Sequence, residues 1–468
     1  MGHTHRLSRF EHALALLTRV EPGDGRTVAV LFSQALVIMV AYYLVRPVRE
    51  ALILTGGGAE IRSYAVGVQA LLLIALIPLY SLAVQRIGAR RVVPALCVFL
   101  ASHLVLFSCA GRAGLHLAFT FFVWVGLFGV VVVAQFWALA TDVLDVRAGQ
   151  RLLGVIAAGV AGGAWIGARL AVAGIETLGP FGLMLASAAV LLVAAALAAW
   201  ARRSIVGNAP GAPIADDVRQ PSCFGGFALI LRSRYLFLIA ALVVLLNCIT
   251  STGEFVLADW LAQRAREQAP GAQSAFIGRF MGNYCASITL LGFALQLLLV
   301  SRLIQYAGLA RALVATPVAF AAGFLLIGAV PVFAVLQAVL VVHKSLDYSL
   351  LNTTRNALLL PASLAAKYEA RTAIDTVFYR LGDLLSTLAV FFCVRVLDGS
   401  RLQLVWLLVA LSATMACIAW TLGREYAQRL AATYHGAPSA ETASHDEPCR
   451  QTDSAAQPAV SRLVTHGA

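Results

Sequence analysis

Charged side chains stand inside segments that are otherwise apolar enough to cross a bilayer. The clearest example is YYLVRPVREALILTG, residues 42–56, where Arg46, Arg49 and Glu50 surround Pro47. A charge near the bilayer centre costs about 2.5–3.5 kcal/mol on insertion scales, so such a side chain usually faces a cavity or an opposite charge. The planar guanidinium of arginine can hold phosphate or carboxylate oxygens through two hydrogen bonds. These residue types therefore suggest the binding of an anion within a membrane.

Charged residues recur in the later apolar segments. They are Asp142, Arg169, Glu254, Asp259, Lys344, Asp347, Arg371, Asp375, Arg380 and Asp383. Both signs occur in both halves of the chain, and several fixed cations in one cavity suit a polyanionic substrate. The acids can pair with the cations while the cavity is empty, or carry a coupling proton. The alternative is simple neutralisation, for example of Arg49 by Glu50 or of Lys344 by Asp347, or snorkelling of side chains from helix ends.

The elements that must position these residues are membrane helices. The chain has 468 residues, of which 60% are hydrophobic and 12% charged, whereas about 25% of the residues in a soluble domain are charged. Its apolar runs reach the roughly 20 residues that a helix needs to cross the hydrocarbon core, and they lack the alternation of barrel strands. We expect an all-α polytopic membrane protein. Its twelve predicted transmembrane helices are 27–55, 64–84, 92–111, 116–141, 152–174, 179–201, 235–262, 276–301, 311–330, 332–357, 372–396 and 402–423.

A central linker and a weak repeat indicate two six-helix halves. The connection SIVGNAPGAPIADDVRQPSC is long, polar and rich in Pro and Gly, as expected of a linker. Gly88 and Gly308 lie 220 residues apart in similar contexts, as do Arg151 and Arg371. Parallel repeats of this kind are typical of major-facilitator-type transporters, which bind substrate between the halves near the bilayer midplane. The predicted organisation is a cytoplasmic N-terminal segment at 1–26, a first half at 27–203, a linker at 204–234, a second half at 235–423 and a disordered tail at 424–468.

Basic residues are concentrated in the connections that follow even-numbered spans, such as Arg86, Arg90 and Arg91 after the second span. The positive-inside bias therefore places both termini in the cytoplasm. We expect the protein in a bacterial inner membrane. Small residues in the fifth span, at Gly154, Ala158, Gly162 and Gly167, predict close packing against another helix.

Other function classes find no support in the sequence. The formal charge of +12 comes from scattered arginines that form no aromatic-interleaved basic face, so no nucleic-acid partner is predicted. The eight cysteines show no CxxC spacing, and we predict no metal site and no cofactor. No Walker-type phosphate-binding sequence indicates ATP hydrolysis. We predict no enzyme and no protein partner, and expect an anionic small molecule and the lipid bilayer as partners.

Four separated segments resemble the ATP:ADP antiporter family, the nucleotide transporters of plastids and obligate intracellular bacteria, which has many free-living bacterial relatives. YYLVRPVREALILTGGGAEIRSY resembles the first helix of that family, and FWALATDVLDVRAGQRLLGVIAAGVAGG resembles its FW-containing segment and glycine-rich helix. HKSLDYSLLNTTRNALLLP, which contains Tyr348, resembles its K-x-x-x-YSL segment. AKYEARTAIDTVFYRLGD resembles the opening of its eleventh helix. The likeness extends over residues 20–423.

The resemblance implies twelve spans and the exchange of a nucleotide or a related phosphorylated anion without hydrolysis. The charged residues on which the family depends, in helices 1, 4, 7 and 11, fall on Arg49, Asp142, Glu254 and Arg371. The family's nucleotide exchangers typically have lysine at the positions of Arg49 and Arg371, and glutamate at that of Asp142. The arginines fit compositional drift, since the chain has only two lysines among its 35 basic residues. They also fit an altered substrate, since a guanidinium reshapes a site.

The candidate substrate-binding residues are Arg49, Asp142, Glu254, Lys344 and Arg371, with Arg46, Glu50, Arg169, Tyr348, Asp375 and Arg380 as secondary candidates. Arg49, Lys344 and Arg371 are expected to hold phosphate groups. Asp142 and Glu254 are expected to pair with them in the empty state. Glu50 is interpreted as the local partner of Arg49, and Arg46 as a residue that shapes the helix. Two alternatives stay open: a proton-coupled carrier of another metabolite, and a non-transporting membrane sensor or scaffold in which the intramembrane charges are dispensable.

Overall fold

The computed structural model describes residues 21, 24–87, 89–144, 146–205, 223–359 and 370–435, and over these residues the chain is all-helical. Side chains in these ranges are described except at 77–93, 135, 138–139, 141–143, 146–147, 149–150, 201–205, 223–226 and 430–435. The long helices are α1 Asp24–Gly56, α2 Gly58–Ile87, α3 Ala89–Arg112, α4 Ala118–Val143, α5 Val146–Gly174, α6 Gly179–Ile205, α7 Arg234–Gln268, α8 Gln273–Ala307, α9 Leu309–Ala329, α10 Phe333–Leu358, α11 Arg371–Val396 and α12 Arg401–His435.

These helices correspond one to one with the twelve predicted spans. Eleven are long and apolar enough to cross a membrane, and α4 contributes the shorter apolar segment Ala118–Ala134. The agreement has a simple cause. In a bilayer a segment that does not belong to a closed barrel can satisfy its backbone hydrogen bonds only as a helix. The length of an apolar run is therefore enough to identify a transmembrane helix. The predicted all-α polytopic membrane architecture is confirmed.

The predicted tail was wrong at its start. α12 continues to His435, well into the segment 424–468 that was expected to be disordered. One reason is an ion pair: Glu425 accepts from Arg234 of α7 at 3.0 Å, which holds the extension against the second half. The remainder of that segment lies outside the described residues. In the predicted linker, the structure describes a ten-residue helix, Cys223–Arg232.

The buried apolar side chains form two large groups, one for each half of the chain. The first group lies wholly within residues 28–198. The second is drawn mainly from residues 230–422 and is completed by first-half side chains: Ala51, Ile53, Leu54, Ala59, Ala65, Phe122 and Val123. Most of these lie near the connection between α1 and α2. The halves therefore share a core at that end of the bundle.

We call this the joined end. It carries the α1–α2 connection at Gly57, the α5–α6 connection and the α11–α12 connection. Two exposed ion pairs cross between the halves there. Arg395 of α11 pairs with Glu60 of α2, with a second bond of 2.9 Å from Nη2 to Oε2. Arg279 of α8 pairs with Glu176 of the α5–α6 connection at 2.9 Å.

α1 and α5 pack closely within the first half because glycines of α5 face the backbone of α1. A Cβ on Gly163 would lie 2.4 Å from the carbonyl oxygen of Leu36, and one on Gly159 would lie 2.9 Å from that of Phe32. Of the small residues predicted to pack, Gly167 does so, whereas Gly154 and Gly162 face open space. The packing stripe is thus 159, 163 and 167.

Several membrane helices contain a π-helical turn. These turns are Gln296–Val300 in α8, Asp347–Leu351 in α10, and Ile374–Phe378 and Phe392–Val396 in α11. A π turn inserts one residue into the helical repeat and is often found at functional sites, because it rotates the side chains that follow. The turn in α10 begins at Asp347, and the first of the two turns in α11 contains Asp375 as its second residue.

Candidate functional site

A polar cavity of about 180 Å³ lies between the halves. Three helices of the first half (α1, α2 and α4) and three of the second (α7, α10 and α11) line it. The lining residues are Tyr42, Arg46, Arg49, Arg62, Val66, Gln69, Phe122, Gly126, Val130, Asn247, Thr250, Ser251, Glu254, Lys344, Tyr348, Tyr379, Arg380 and Asp383. Many of the charged residues singled out by their presence in apolar segments therefore meet at one place.

Five charged side chains form a continuous ion-pair chain across this cavity. In order they are Arg49, Glu50, Arg62, Glu254 and Lys344. The nitrogen-to-oxygen distances between successive members are 3.3, 2.6, 3.0 and 3.0 Å. The first three members belong to the first half and the last two to the second. The ion-pair chain thus connects the two halves through side chains of alternating charge.

Arg62 is the centre of the ion-pair chain and was missed by the sequence analysis. It is only 4% exposed, and its Nε donates to Glu50 while its Nη2 donates to Glu254. The predicted second span begins at residue 64, which leaves Arg62 in the connection that follows the first span. α2 in fact begins at Gly58. Glu60 was the available signal, because an acidic residue in the first turn is typical of a helix N-terminus. It indicates that the helix begins at the third glycine, Gly58.

Arg49 and Lys344 both line the cavity, as predicted anion-binding residues should, but both already have acidic partners. Arg49 pairs with Glu50, and its guanidinium carbon lies 4.6 Å from the ring centroid of Phe122. The partner of Lys344 is Glu254. The suggested neutralisation of Lys344 by Asp347 is not among the ion pairs of the described residues.

Arg46 occupies the same cavity and makes a different set of contacts. Its Nη1 donates to the hydroxyl of Tyr43 at 2.9 Å, and its guanidinium carbon lies 5.2 Å from the centroid of that ring. Among the described side chains, no carboxylate forms an ion pair with it. The sequence interpretation gave Arg46 only a role in shaping α1, but the structure brings it to the cavity wall.

The far wall of the cavity, on α11, carries a third carboxylate. Asp383 accepts from Ser251 at 2.6 Å and from Nη1 of Arg380 at 3.1 Å. Arg380 was a secondary candidate and is a lining residue. Asp383 was noted only as an intramembrane charge. Asp383 is only 7% exposed. Its two donors supply the hydrogen bonds that a buried carboxylate needs.

Tyrosine rings supply the uncharged part of the cavity wall. Tyr42, Tyr348 and Tyr379 all line it. The ring of Tyr42 lies over Gly129 of α4, where an added Cβ would come within 2.5 Å of it. Nζ of Lys344 lies 5.8 Å from the ring centroid of Tyr348. Flat rings beside cations suit a substrate that joins an anionic group to an apolar or aromatic part.

Arg371 and Asp375 belong to a second cluster that does not line the cavity. Arg371 is about half exposed at the start of α11, and it contacts Asp375 at 3.6 Å and Asn356 at 3.0 Å. Arg355 of α10 also pairs with Asp375, at 3.4 Å. This group joins α10 to α11 at the end of the bundle opposite to the joined end. The predicted site is therefore divided between a cavity and a surface cluster.

Two further candidates lie elsewhere. Arg169 of α5 is exposed and donates to Asn283 of α8 at 2.7 Å, outside the cavity lining. Asp142 is near the end of α4, and its side chain is outside the described residues. In the described part of the chain, no group of three or more His, Cys, Asp or Glu side chains could hold a metal ion.

A larger cavity of about 400 Å³ lies at the joined end of the first half. Its lining is mostly apolar and includes Phe107, Phe121, Phe181 and Met184, and it contains no Arg, Lys, Asp or Glu. Size alone therefore does not identify the candidate site. The smaller cavity concentrates the charged groups that the membrane environment makes costly.

Comparisons of the sequence return no relative. No protein-family model matches the chain, and no curated protein matches it. The resemblance to the ATP:ADP antiporter family therefore stays a prediction.

Solved structures do match, over most of the chain. A point mutant of the nucleoside transporter NupG has a TM-score of 0.61 at 13% identity, over 84% of this chain and 99% of that one. PepTSo, a POT family transporter, has 0.61 at 12% over 86% and 98%. A bacterial homologue of the iron transporter ferroportin, in an inward-facing state, has 0.61 at 13% over 85% and 98%. At these identities the likeness establishes the major-facilitator-type fold and nothing finer.

Proposed function

We propose that this chain is a secondary transporter that moves a small anionic substrate across the inner membrane by alternating access of its two halves. The observation that supports the proposal is the cavity between the halves, lined by five cationic side chains: Arg46, Arg49, Arg62, Lys344 and Arg380. Cations held in a membrane interior are costly, and they attract an anion of complementary shape. The similar solved structures named as transporters support the transport step.

The finer form of the proposal is antiport of a nucleotide of the ATP/ADP type or of a related phosphorylated anion. It is supported by the resemblance of four segments to the ATP:ADP antiporter family. It is also supported by the position of Arg49, Glu254 and Lys344 at the cavity. The ion-pair chain gives the empty site an internal counter-charge. Glu254 bound to Arg62 and Lys344 occupies the position that an anionic group of the substrate would take.

Proton coupling is the second candidate, and embedded carboxylates favour it. Glu254 and Asp383 both face the cavity, and an acid inside a membrane protein is a common proton carrier. The two candidates differ in one respect. Exchange requires a counter-substrate inside the vesicle and proceeds in the presence of a proton uncoupler, whereas proton symport stops.

Uptake of labelled ATP, ADP and a panel of phosphorylated metabolites into proteoliposomes tests the proposal. We expect at least one of them to accumulate. The variant Lys344→Gln should reduce its initial rate about tenfold or more, because a charge-assisted hydrogen bond contributes about 1.5–3 kcal/mol and 1.4 kcal/mol corresponds to a factor of ten.

Arg302→Gln is the matched control, because Arg302 is an exposed arginine of α8 and its loss should leave the rate unchanged. Reconstituted amounts of each variant are compared by immunoblot. If no compound of the panel moves, or if Lys344→Gln moves it as fast as the unaltered protein, the anion-carrier proposal is wrong. In the former case a non-transporting sensor or scaffold is the better account of the chain.

A further inference from the structure

The charge balance of the cavity limits the charge of its substrate. Five cations line it, and three carboxylates form ion pairs with them: Glu50, Glu254 and Asp383. The described side chains thus leave a surplus of two positive charges. Asp347 follows Lys344 by one helical turn without pairing with it, and counting it reduces the surplus to one.

Arg46 carries one of the two surplus charges, and the other is shared along the ion-pair chain, where three cations meet two carboxylates. Arg62 is shared by two carboxylates, and Lys344 and Arg380 each hold one. The contacts of Arg46 are instead with a neutral phenol, the hydroxyl of Tyr43. An arginine whose charge is unmatched inside a membrane protein is held there at a cost unless an anion binds it. Its remaining guanidinium donors are the groups that a substrate can satisfy.

The size of the cavity favours a small substrate. Its volume of about 180 Å³ is below the ~300–1,000 Å³ usual for pockets that enclose drug-sized ligands.

A phosphate monoester carries about 1.5–2 negative charges near neutral pH. Each further phosphate of a diphosphate or triphosphate adds negative charge that the surplus does not match. Binding such a ligand requires Glu50 or Glu254 to leave Arg62.

We propose that the substrate is an organic anion with one or two negative charges, and that Arg46 is the residue that binds its charged group. Tyr42, Tyr348 and Tyr379 contact its uncharged part. Diphosphates and triphosphates are disfavoured by the two internal carboxylates on Arg62. This inference rests on the proposed function and narrows its substrate class.

Isothermal titration of the purified protein in lipid nanodiscs tests the inference with a series of fixed base and increasing charge: adenosine, AMP, ADP and ATP, together with the dicarboxylate succinate. AMP or succinate should bind most tightly, and ATP should bind at least tenfold more weakly than AMP. Arg46→Gln should weaken binding of the tightest ligand at least tenfold, while Arg46→Lys, which keeps the charge, should retain most of it. Arg302→Gln, at an exposed position of α8, should have less than a threefold effect.

Glu254→Gln separates charge from size. It raises the surplus of the cavity by one positive charge and leaves the side chain nearly the same volume. The affinity for ADP relative to AMP should therefore increase about tenfold. If size alone excluded ADP, the ratio would not change, and the charge argument would be overturned. This variant and Arg46→Lys decide the matter even if Arg46→Gln does not fold.

The failure of the inference is distinct from that of the proposed function. If ATP binds most tightly to the unaltered protein and its transport depends on Lys344, the anion carrier stands and the limit of one or two charges is overturned. If Arg46→Gln binds AMP and succinate as the unaltered protein does, the assignment of Arg46 is overturned. If none of the five compounds binds, both proposals are wrong.

Discussion

Arg62 shows what one side chain contributes to this molecule. It is a buried cation that neutralises Glu50 within the first half and Glu254 across the interface. Both carboxylates also contact a second cation, Arg49 and Lys344 respectively. Both carboxylates depend on Arg62 for one of their two ionic contacts, and its removal leaves the pairs Arg49–Glu50 and Glu254–Lys344 in place.

The variant Arg62→Met tests this dependence. We expect it to lower the free energy of unfolding by about 1.5–3 kcal/mol, the usual contribution of a hydrogen bond to a charged group, because each carboxylate keeps a second cation. Thermal unfolding of the purified protein in detergent measures the change. Arg302→Met, at an exposed position of α8, is the control and should melt close to the unaltered protein.

A double variant sharpens the result. Glu50→Leu combined with Arg62→Met also removes the acidic partner of Arg49, while Glu254 keeps its pair with Lys344. The double variant should therefore melt at a lower temperature than Arg62→Met alone, because it leaves the buried Arg49 without its carboxylate. Equal melting of Arg62→Met and Arg302→Met would show that the ion-pair chain contributes no stability.

At the scale of elements, the first half is held together by the contact of α1 with α5. The contact has a period of four residues, Gly159, Gly163 and Gly167, which places the three glycines on one face of α5. Without a hydrophobic driving force between helices in lipid, close backbone approach supplies dispersion contacts, and small residues permit it. α1 carries Arg46 and Arg49, so this packing also fixes where the cavity cations stand.

The neighbouring glycines 162 and 163 give a matched pair of variants. Gly163→Ala places a Cβ 2.4 Å from a carbonyl oxygen of α1, and we expect a loss of about 1–3 kcal/mol from overpacking. Gly162→Ala meets nothing within 4 Å, and the higher helix propensity of alanine should leave stability unchanged or raise it by up to about 1 kcal/mol. Melting temperatures compare them. Equal effects at both positions would contradict the observed register.

At the scale of the whole molecule, several described contacts between the halves lie toward the joined end. α2 and α11 meet there, where Thr387 donates to the backbone oxygen of Ser63 at 3.1 Å and faces Gly67. Alternating access requires the halves to separate at one end while they close at the other. Under the proposed function, the joined end is therefore expected to open during a transport cycle.

A reversible cross-link tests that motion. A Cβ on Gly67 would lie 3.3 Å from Cβ of Thr387, close to the ~3.5–4.5 Å of a disulfide. We expect the pair Gly67→Cys and Thr387→Cys to form a disulfide on oxidation and to lose transport, with recovery after reduction. Each single-cysteine variant, treated identically, controls for the chain's own cysteines. Full transport by the cross-linked protein would show that α2 and α11 do not separate.

Much of the site was accessible from residue types alone. Arg49, Glu254 and Lys344 were selected because a charge in an apolar run is costly wherever the chain goes, and all three line the cavity. Arg371 and Asp375 were selected by the same rule but lie together in a different cluster. The cost of a charge in an apolar segment identifies which residues need partners, but it does not predict which partners they contact.

The amino-acid sequence by itself determined the number, order and approximate limits of the membrane helices, because crossing a bilayer is decided by local apolar length. It also marked the charges that had to be compensated. Only the tertiary structure decided that Arg62 is buried at the centre of the ion-pair chain, that Lys344 pairs with Glu254, and that Arg46 is left with a neutral partner. Those outcomes depend on the rotation of each helix about its axis and on contacts between residues far apart in the chain, which hydropathy along the chain does not encode.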